Sequence, residues 1–284
     1  MSEMDRRLTP ARSDLAASFL KDRVSAERYV DPVDHRCILP SAAIRRDASA
    51  TAGMDDQVLY GEDFAVLEER EGWCWGFSRA DGYVGWVEAG ALSGETLKAD
   101  HKITALRTYL FPEPNFKKPP IALLNLNARF AAGVVEGRFV EARGAGWVTT
   151  EHTAPLTEFA GDFVAVAEAH LGAPYLWGGK ESLGLDCSGL VQMALMAAGI
   201  DVPRDADQQE AALKEMWDDV TADVERVRGD IVFWPGHVGI LTDSEHLLHA
   251  NAFTMDVTLE PFAEAERRIR EAENPVRTIV RLPR

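Results

Sequence analysis

The sequence predicts an α+β fold in which helices pack on an antiparallel sheet, preceded by two small β-barrels. Two observations lead to this fold class. The N-terminal half contains several short β-type segments at close spacing, which is typical of small barrels. The C-terminal half begins with helical patterns and ends with strands separated by turns, an order that is typical of α+β domains.

Length and composition limit the classes of function. The chain has 284 residues, enough for two or three domains, and is 46% hydrophobic and 27% charged, as ordinary globular proteins are. Its net charge of −16 disfavours a nucleic-acid partner and attachment to anionic lipid, because both need a basic surface. Three widely separated cysteines show no paired metal-ligand spacing, so we expect no metal or other cofactor.

The cysteines and the N-terminus also predict a compartment. Three cysteines with no regular spacing are typical of a reduced protein. The first residues lead into no apolar leader, and no later segment has the length and hydropathy of a membrane span. We therefore expect a cytoplasmic protein with no membrane partner.

The N-terminal half divides into three predicted segments. Residues 1–30 are expected to form an arm with one short helix at residues 13–20, packed on a later domain. Residues 31–93 are predicted to form the first barrel, because short strands alternate around turns such as DG at residues 81–82. The pattern recurs weakly over residues 94–153, where GWV at 146–148 repeats GWV at 85–87, and this predicts the second barrel.

Residues 154–284 are predicted to form the third domain. Its first helix is expected at residues 158–167, capped by Thr157 and stopped by GAP at residues 172–174. A second helix is expected to begin near Cys187 and end at Gly199, followed by a polar helix around residues 207–213. Strands are expected between residues 230 and 257 and at residues 278–281.

Cys187 lies in the run LDCSGLVQMAL at residues 185–195, where the second helix of this domain is expected to begin. The free N–H groups and the positive dipole end of a helix N-terminus favour a thiolate and stabilise a developing oxyanion. The pattern therefore indicates a nucleophile with a low thiol pKa. A small buried cysteine in the core is the ordinary alternative for a single cysteine.

Two histidines occur on neighbouring predicted strands. WPGHVGIL at residues 234–241 and HLLHA at residues 246–250 flank the polar turn DSE at residues 243–245. A tight turn there would place His237 and His249 directly or diagonally opposite each other on one face of the sheet. A cysteine at a helix start and two neighbouring histidines supply a nucleophile, a base and a residue that orients the base.

These residues resemble the NlpC/P60 family of papain-like cysteine peptidases. The resemblance covers the chain from about residue 156 and rests on DCSG at 186–189, GHVGI at 236–240 and the histidine twelve positions after His237. YLWGG at 175–179 and RGDIVF at 228–233 add to it. The two predicted barrels resemble bacterial SH3-like domains, which commonly accompany NlpC/P60 domains.

The resemblance implies acyl transfer to water through a thioester. His237 would hold Cys187 as a thiolate–imidazolium pair and later protonate the leaving amine. His249 would fix the tautomer and orientation of His237. The backbone N–H of Cys187 and the hydroxyl group of Tyr175 are candidates for contacts with the oxyanion.

Within the family, the chain resembles the γ-D-glutamyl-L-diamino acid endopeptidases of murein-peptide recycling. This resemblance implies a small murein peptide with a free N-terminal L-Ala as the partner. Asp205 would bind the free amine, and Glu62 and Tyr83 from the first barrel would close the amine pocket. Asp186 and Ser188 are further candidates for substrate contact, with helix capping as the alternative role.

Two other functions remain open from the sequence. The barrels could tether a secondary or inactive hydrolase domain to wall peptides, although a pure binding module does not need an intact Cys187, His237 and His249. The same three residues could transfer the acyl group to an amine or an alcohol instead of water, and the sequence does not separate that reaction from hydrolysis.

Overall fold

The computed structural model describes residues 4–95, 97–222, 225–272 and 275–283. The chain divides into two compact units, Met1–Thr157 and Glu158–Arg284. The first unit consists mainly of β-strands, and the second combines α-helices with an antiparallel sheet, so the predicted α+β class is confirmed. The predicted boundaries at residues 30, 93 and 153 stay predictions.

The first unit begins with two short parallel strands, β1 (Leu15–Ala17) and β2 (Arg28–Val30). The helix expected at residues 13–20 is wrong, because this segment forms β1 and a single 3₁₀ turn, Ser18–Leu20. Strand β1 pairs with β2 and also forms backbone hydrogen bonds with residues 10 and 12, while Leu15 and Leu20 are buried in one apolar cluster with Trp75.

Seven antiparallel strands follow in the first unit. They are β3 (Val33–Cys37), β4 (Ser41–Arg45), β5 (Met54–Leu59), β6 (Asp63–Arg70), β7 (Trp73–Ser78), β8 (Val84–Glu88) and β9 (Leu92–Ser93). They form one sheet in the order β5-β4-β8-β7-β6-β3-β9. One apolar cluster of this sheet contains Cys37, Ile44, Val58, Phe64 and Val87, which accounts for the alternation of apolar residues along the strands.

The rest of the first unit forms three smaller antiparallel sheets. Their strands are β10 (His101–Ile103), β11 (Arg107–Leu110), β12 (Ala122–Asn125), β13 (Arg129–Phe130), β14 (Ala132–Glu136), β15 (Phe139–Ala142), β16 (Gly146–Thr149) and β17 (Thr153–Pro155). The sheet orders are β13-β10-β17, β11-β12 and β14-β15-β16, around a shared core that includes Ile103, Leu124, Phe130 and Val140. The assignment of this region as a second SH3-like barrel stays a prediction.

The second unit places its helices around a six-stranded antiparallel sheet. Its elements are α1 (Phe163–Glu168), β18 (Lys180–Glu181), β19 (Gly184–Leu185), α2 (Cys187–Ala197), α3 (Ala206–Met216), β20 (Asp218–Asp219), β21 (Ile231–Trp234), β22 (His237–Leu241), β23 (His246–Asn251), β24 (Asp256–Pro261), α4 (Phe262–Ala272) and β25 (Thr278–Arg281). The sheet order is β20-β25-β21-β22-β23-β24. Helix α2 packs on β22 and β23.

Helix α2 begins at Cys187 and ends before Gly199, as the sequence predicts. Gly199 adopts a φ of +81°, and the N–H of the next residue, Ile200, donates to the carbonyl of Leu195, which closes the helix end. All eleven residues of α2 are buried, so it is the central helix of the unit, not an amphipathic surface helix. No helix in the described part of the chain has the length and apolar character needed to cross a membrane.

Two other helices differ from the prediction. Helix α1 begins five residues late because Asp162, not Thr157, caps it: the Asp162 carboxylate accepts the N–H groups of Val164 and Ala165 at 2.9 and 3.2 Å. Helix α4 has no counterpart in the prediction, although its buried residues, Phe262, Ala265 and Ile269, have helical spacing. The polar helix α3 and the last strand, β25, are confirmed.

Candidate active site

Cys187 is the first residue of α2, and Asp186 caps that helix. The Asp186 carboxylate accepts the N–H of Gly189 at 2.7 Å and the N–H of Gly178 at 2.8 Å. Helix capping is therefore the role that the structure shows for Asp186. The Cys187 side chain is buried, with 8% of its surface exposed.

The loop at residues 175–179 packs closely on the first turn of α2. A Cβ atom at Gly189 would lie 2.2 Å from the carbonyl oxygen of Gly179, so only glycine fits at the last position of the DCSG motif. The backbone of Tyr175 bridges to Leu185, and its side chain is half-buried. These contacts place Tyr175 next to the chain segment that leads into Cys187.

A fully buried arginine holds this loop and the helix start together. Arg204 donates to both carboxylate oxygens of Asp186 at 2.8 and 2.7 Å and to the hydroxyl oxygen of Ser188 at 2.9 Å. It also donates to the carbonyl of Gly179 at 3.1 Å. Since the side chains of Asp186 and Ser188 are both bonded to a buried cation, the structure favours a structural role for them over the predicted substrate contact.

Helix α3 contacts the same turn through Gln209. Its amide donates to the carbonyl oxygens of Ser188 and Pro203, each at 2.9 Å. Asp205 is the N-cap residue of α3, yet its half-buried side chain makes no capping hydrogen bond. The bonds of Arg204 and Gln209 to Ser188 therefore bring the backbone around Asp205 close to the start of α2.

His237 and His249 lie on neighbouring strands, as predicted. In the β22–β23 pair, Ile240 stands opposite Leu248 and Leu241 opposite Leu247, which puts His237 diagonal to His249 on the same face. The turn between the strands is held by the Asp243 carboxylate, which accepts the N–H groups of Glu245 and His246.

Gly239 makes room for this pair of histidines. A Cβ atom at Gly239 would lie 3.1 Å from Cβ of His249 and 2.8 Å from Cδ1 of Leu247. The second glycine of the GHVGI motif therefore allows His249 to lie close against β22, beside His237.

A chain of hydrogen bonds extends from His237 across the sheet. Nε2 of His237 lies 2.7 Å from Nδ1 of His249, and Nε2 of His249 lies 2.7 Å from Oε1 of Glu260 on β24. Arg268 of α4 donates to both carboxylate oxygens of Glu260. His249 is fully buried, and Trp234 covers His237 with ring centroids 5.7 Å apart.

Cys187 lies against the start of β22. The N–H of Val238, the residue after His237, is directed at the thiol together with the N–H of Ser188. Burial and then the charge of Asp186 raise the pKa of Cys187 to about 12, against the opposing effects of these N–H groups and of Arg204. Cys187 and the two histidines are therefore assembled in one place in the second unit.

The charge state differs from the thiolate–imidazolium pair that the sequence predicts. Burial, and then the neighbouring His249 and Arg268, lower the pKa of His237 to about 3. A neutral thiol and a neutral imidazole are therefore favoured in the free protein, and the expected low thiol pKa is wrong. The helix dipole was visible in the sequence, but the burial that outweighs it was not.

Glu62 and Tyr83 belong to the first unit and are both buried there. The Glu62 carboxylate accepts the N–H of Leu59 at 2.9 Å across a tight turn. Tyr83 is part of the apolar cluster that contains Cys37 and Val58. Their predicted place in an amine pocket with Asp205 stays a prediction.

Sequence reasoning missed three charged residues of this site: Arg204, Glu260 and Arg268. The sequence contained a weak indication of Glu260. Thr258 pairs with His249, and Glu260, two positions after Thr258, lies on the same face of the sheet. Arg204 directly precedes Asp205, a predicted site residue, and this position was its only indication in the sequence. Within the described ranges, no three His, Cys, Asp or Glu side chains gather as a metal site would require.

Comparison with known proteins gives two family matches. A model of the bacterial dipeptidyl-peptidase SH3 domain matches residues 44–92, and the NlpC/P60 family model matches residues 172–269. The chain is 28% identical to dipeptidyl-peptidase 6 of Lysinibacillus sphaericus over 238 residues, which cover 75% of this chain and 86% of that protein. It is 29% identical to gamma-D-glutamyl-L-lysine dipeptidyl-peptidase of Bacillus subtilis over 221 residues, or 68% and 71% of the two chains.

Solved structures share the fold. The crystal structure of an NlpC/P60 family protein from Bacillus cereus matches with a TM-score of 0.72 at 16% sequence identity, covering 88% of this chain and all of that one. An NlpC/P60 endopeptidase from Photobacterium damselae matches with a TM-score of 0.54 at 12% identity, covering 87% of this chain and 71% of the other.

Proposed function

We propose that the chain is a cysteine peptidase that hydrolyses the bond between γ-D-Glu and the diamino acid of murein-derived peptides. The matches of residues 172–269 to the NlpC/P60 family and of residues 44–92 to the bacterial dipeptidyl-peptidase SH3 domain support this proposal. The observation that carries this proposal is the arrangement of Cys187, at the start of the central helix, beside the hydrogen-bonded His237 and His249. A binding module has no need of this set.

In the proposed reaction, Sγ of Cys187 attacks the carbonyl carbon of γ-D-Glu while its proton passes to Nδ1 of His237. Because burial keeps His237 neutral in the free protein, its imidazole has a lone pair that can accept this proton. The C–N bond then breaks, and His237 returns the proton to the leaving amine of the diamino acid. Water attacks the thioester, its proton passes to His237 and then to the sulfur, and the acid product and the free thiol are released.

The oxyanion of each tetrahedral intermediate would form at the positive end of α2. The backbone N–H of Cys187 is at the first helical position, where N–H groups have no partner within the helix. Tyr175 lies beside the segment that leads into Cys187, so its hydroxyl group is a second candidate donor. Together they would stabilise the negative charge that develops only in the transition state.

The names of the relatives support the substrate class. Two of them are called gamma-D-glutamyl-L-lysine dipeptidyl-peptidase or dipeptidyl-peptidase 6, and such names describe removal of a dipeptide from a free N-terminus. Asp205 is the proposed carboxylate for binding that amine, since it is half-buried and the bonds of Arg204 and Gln209 to Ser188 hold its backbone near the start of α2. Glu62 and Tyr83 are its proposed partners from the SH3 domain.

A cytoplasmic role in recycling released wall fragments belongs to the same proposal. Fragments released from the wall present a free L-Ala amine, whereas intact wall peptides are attached through that amine. The cysteines Cys37, Cys74 and Cys187 are all free, which fits a reducing compartment.

Mass spectrometry of the products tests the proposal. We expect L-Ala-γ-D-Glu-L-Lys and the corresponding diaminopimelate peptide to yield the L-Ala-D-Glu dipeptide and the free diamino acid. A peptide with an α-linked Glu is the matched control and should remain intact. Cleavage at another bond would contradict the assignment, and so would the absence of cleavage of both γ-linked peptides.

A further inference from the structure

The hydrogen-bond chain at the site does not end at the second histidine. We propose that Glu260 is a positioning residue that fixes the tautomers of His249 and His237, and that Arg268 holds Glu260 in place for this role. The consequence for turnover rests on the proposed peptidase function, but the effect on the tautomers does not.

Glu260 is well placed for this role. Its Oε1 atom lies 2.7 Å from Nε2 of the fully buried His249, and its side chain is only 17% exposed. Strands β23 and β24 pair Leu247 with Glu260 and His249 with Thr258, so Glu260 and His249 lie diagonally on one face. The sheet register therefore fixes this contact as firmly as it fixes the contact between the two histidines.

The Glu260 carboxyl group is ionised. Burial alone would raise its pKa, but the hydrogen bond with His249 and the hydrogen bonds and charge of Arg268 outweigh burial and lower it. An ionised carboxylate accepts hydrogen bonds and donates none. Nε2 of His249 must therefore carry the hydrogen in its contact with Glu260.

The direction of the bond between the two histidines follows when the His249 ring carries only this hydrogen. Its lone pair is then on Nδ1, which accepts from Nε2–H of His237. His237 then keeps its own lone pair on Nδ1, the nitrogen that the proposed reaction needs to take the proton of Cys187. Glu260 thus sets, two contacts away, which nitrogen of His237 is the base.

Arg268 anchors the outer end of the chain. It donates to both oxygens of Glu260, and its guanidinium group lies 4.3 Å from the ring centroid of Phe253. Because Arg268 can only donate, it cannot reverse the polarity of Glu260. Helix α4, which supplies Arg268, therefore contributes to the base although none of its residues contacts Cys187 in the described interactions.

The test uses Glu260→Ala in the full chain, with Glu271→Ala as the control. Glu271 lies on α4 and pairs with Arg267 at 3.5 Å with both side chains exposed, so the control removes a similar carboxylate away from the histidines. Two readouts are measured on each protein: the ¹⁵N shifts of the imidazole nitrogens, which report the tautomer, and kcat and KM on the γ-linked peptide.

We expect both histidines of the wild type and of Glu271→Ala to be in the Nε2–H form. In Glu260→Ala, His249 should lose its single tautomer, and kcat should fall roughly 10–100-fold with little change in KM, as is usual when the outer partner of a functional histidine is removed. Glu260→Gln retains an acceptor oxygen, so it should partly restore both the single tautomer of His249 and kcat. A folded Glu260→Ala protein with wild-type tautomers would overturn the proposal.

The ¹⁵N readout requires no substrate, so it tests Glu260 even if the γ-linked peptide is not cleaved, an outcome that would contradict only the proposed function. If Glu260→Ala does not fold, Arg268→Met provides the second test, because it frees Glu260 to rotate away from His249. Mixed tautomers in Arg268→Met would support the proposal, and unchanged tautomers together with an unchanged kcat would contradict it.

Discussion

Nε2 of His237 lies 2.7 Å from Nδ1 of His249, on the adjacent strand of the same sheet. This contact connects His237, whose neighbour Val238 directs its N–H at the Cys187 thiol, with the fully buried His249. In the proposed mechanism the two histidines have different roles: His237 is the base, and His249 would orient it.

The first prediction separates these roles. His237→Ala should lower kcat by roughly 10²–10⁴-fold, because it removes the general base. His249→Ala should lower kcat less, roughly 10–100-fold, because the base survives in a poorer orientation. Steady-state kinetics on the γ-linked peptide measure both. The control is His246→Ala, which changes a half-buried histidine at the start of β23. A wild-type rate for His249→Ala would remove His249 from the site.

The second prediction concerns stability and pH. The pKa of His237 is lowered to about 3 in the folded protein, so between that value and its ordinary pKa near 6.5 the unfolded chain binds the proton more readily. Acidification through this window therefore favours unfolding. The free energy of unfolding should fall less from about pH 7 to about pH 5 in His237→Asn than in the wild type. Equal decreases by urea titration would show that His237 is not held neutral.

The third prediction concerns the buried arginine. Arg204→Met should lower the free energy of unfolding by about 3–5 kcal/mol, because it leaves the Asp186 carboxylate buried without its cation. Arg138→Met is the matched control: it breaks an exposed pair with Glu151 and should cost less than about 1 kcal/mol. Urea unfolding of both variants makes the comparison. Similar losses would mean that the Arg204 cluster does not hold the helix start.

The fourth prediction concerns the substrate amine. Charge-assisted hydrogen bonds contribute about 1.5–3 kcal/mol each, so N-acetylation of the L-Ala should lower kcat/KM by roughly two orders of magnitude. Asp205→Asn should lower kcat/KM on the free-amine peptide and so reduce the difference in kcat/KM between the free and the acetylated peptide. Glu62→Gln and Tyr83→Phe should reduce this difference in the same way. Asp201→Asn changes an exposed acid nearby and should leave the difference intact. Comparable rates on free and acetylated peptides would argue against the recycling role.

Local signals in the sequence were enough to place the candidate nucleophile at a helix start and the two histidines beside each other. Asp186 and Gly199 mark the ends of α2 through short-range capping, and the Asp243 turn fixes the register that brings the histidines together. Each of these features depends on residues only a few positions apart, which is where sequence patterns are most informative.

The rest of the site depends on contacts between segments far apart in the chain. Arg204 reaches Asp186 across 18 positions, and the position of α4 that brings Arg268 to Glu260 had no counterpart in the prediction. The charge state of Cys187 depends on how much surrounding structure excludes water from it, and a pattern of residue types does not report that. Long-range packing therefore explains why these charged residues of the site were missed and why the expected thiol pKa was wrong.

The most direct test of the account is the product mass spectrum of Cys187→Ala beside the wild type on L-Ala-γ-D-Glu-L-Lys. The wild type should release the L-Ala-D-Glu dipeptide, and Cys187→Ala should fold normally and release none, because no other side chain at the helix start supplies a thiol. Cys74→Ala, which removes a buried cysteine of the first unit, should cleave like the wild type. Release of the dipeptide by folded Cys187→Ala at the wild-type rate would contradict the account.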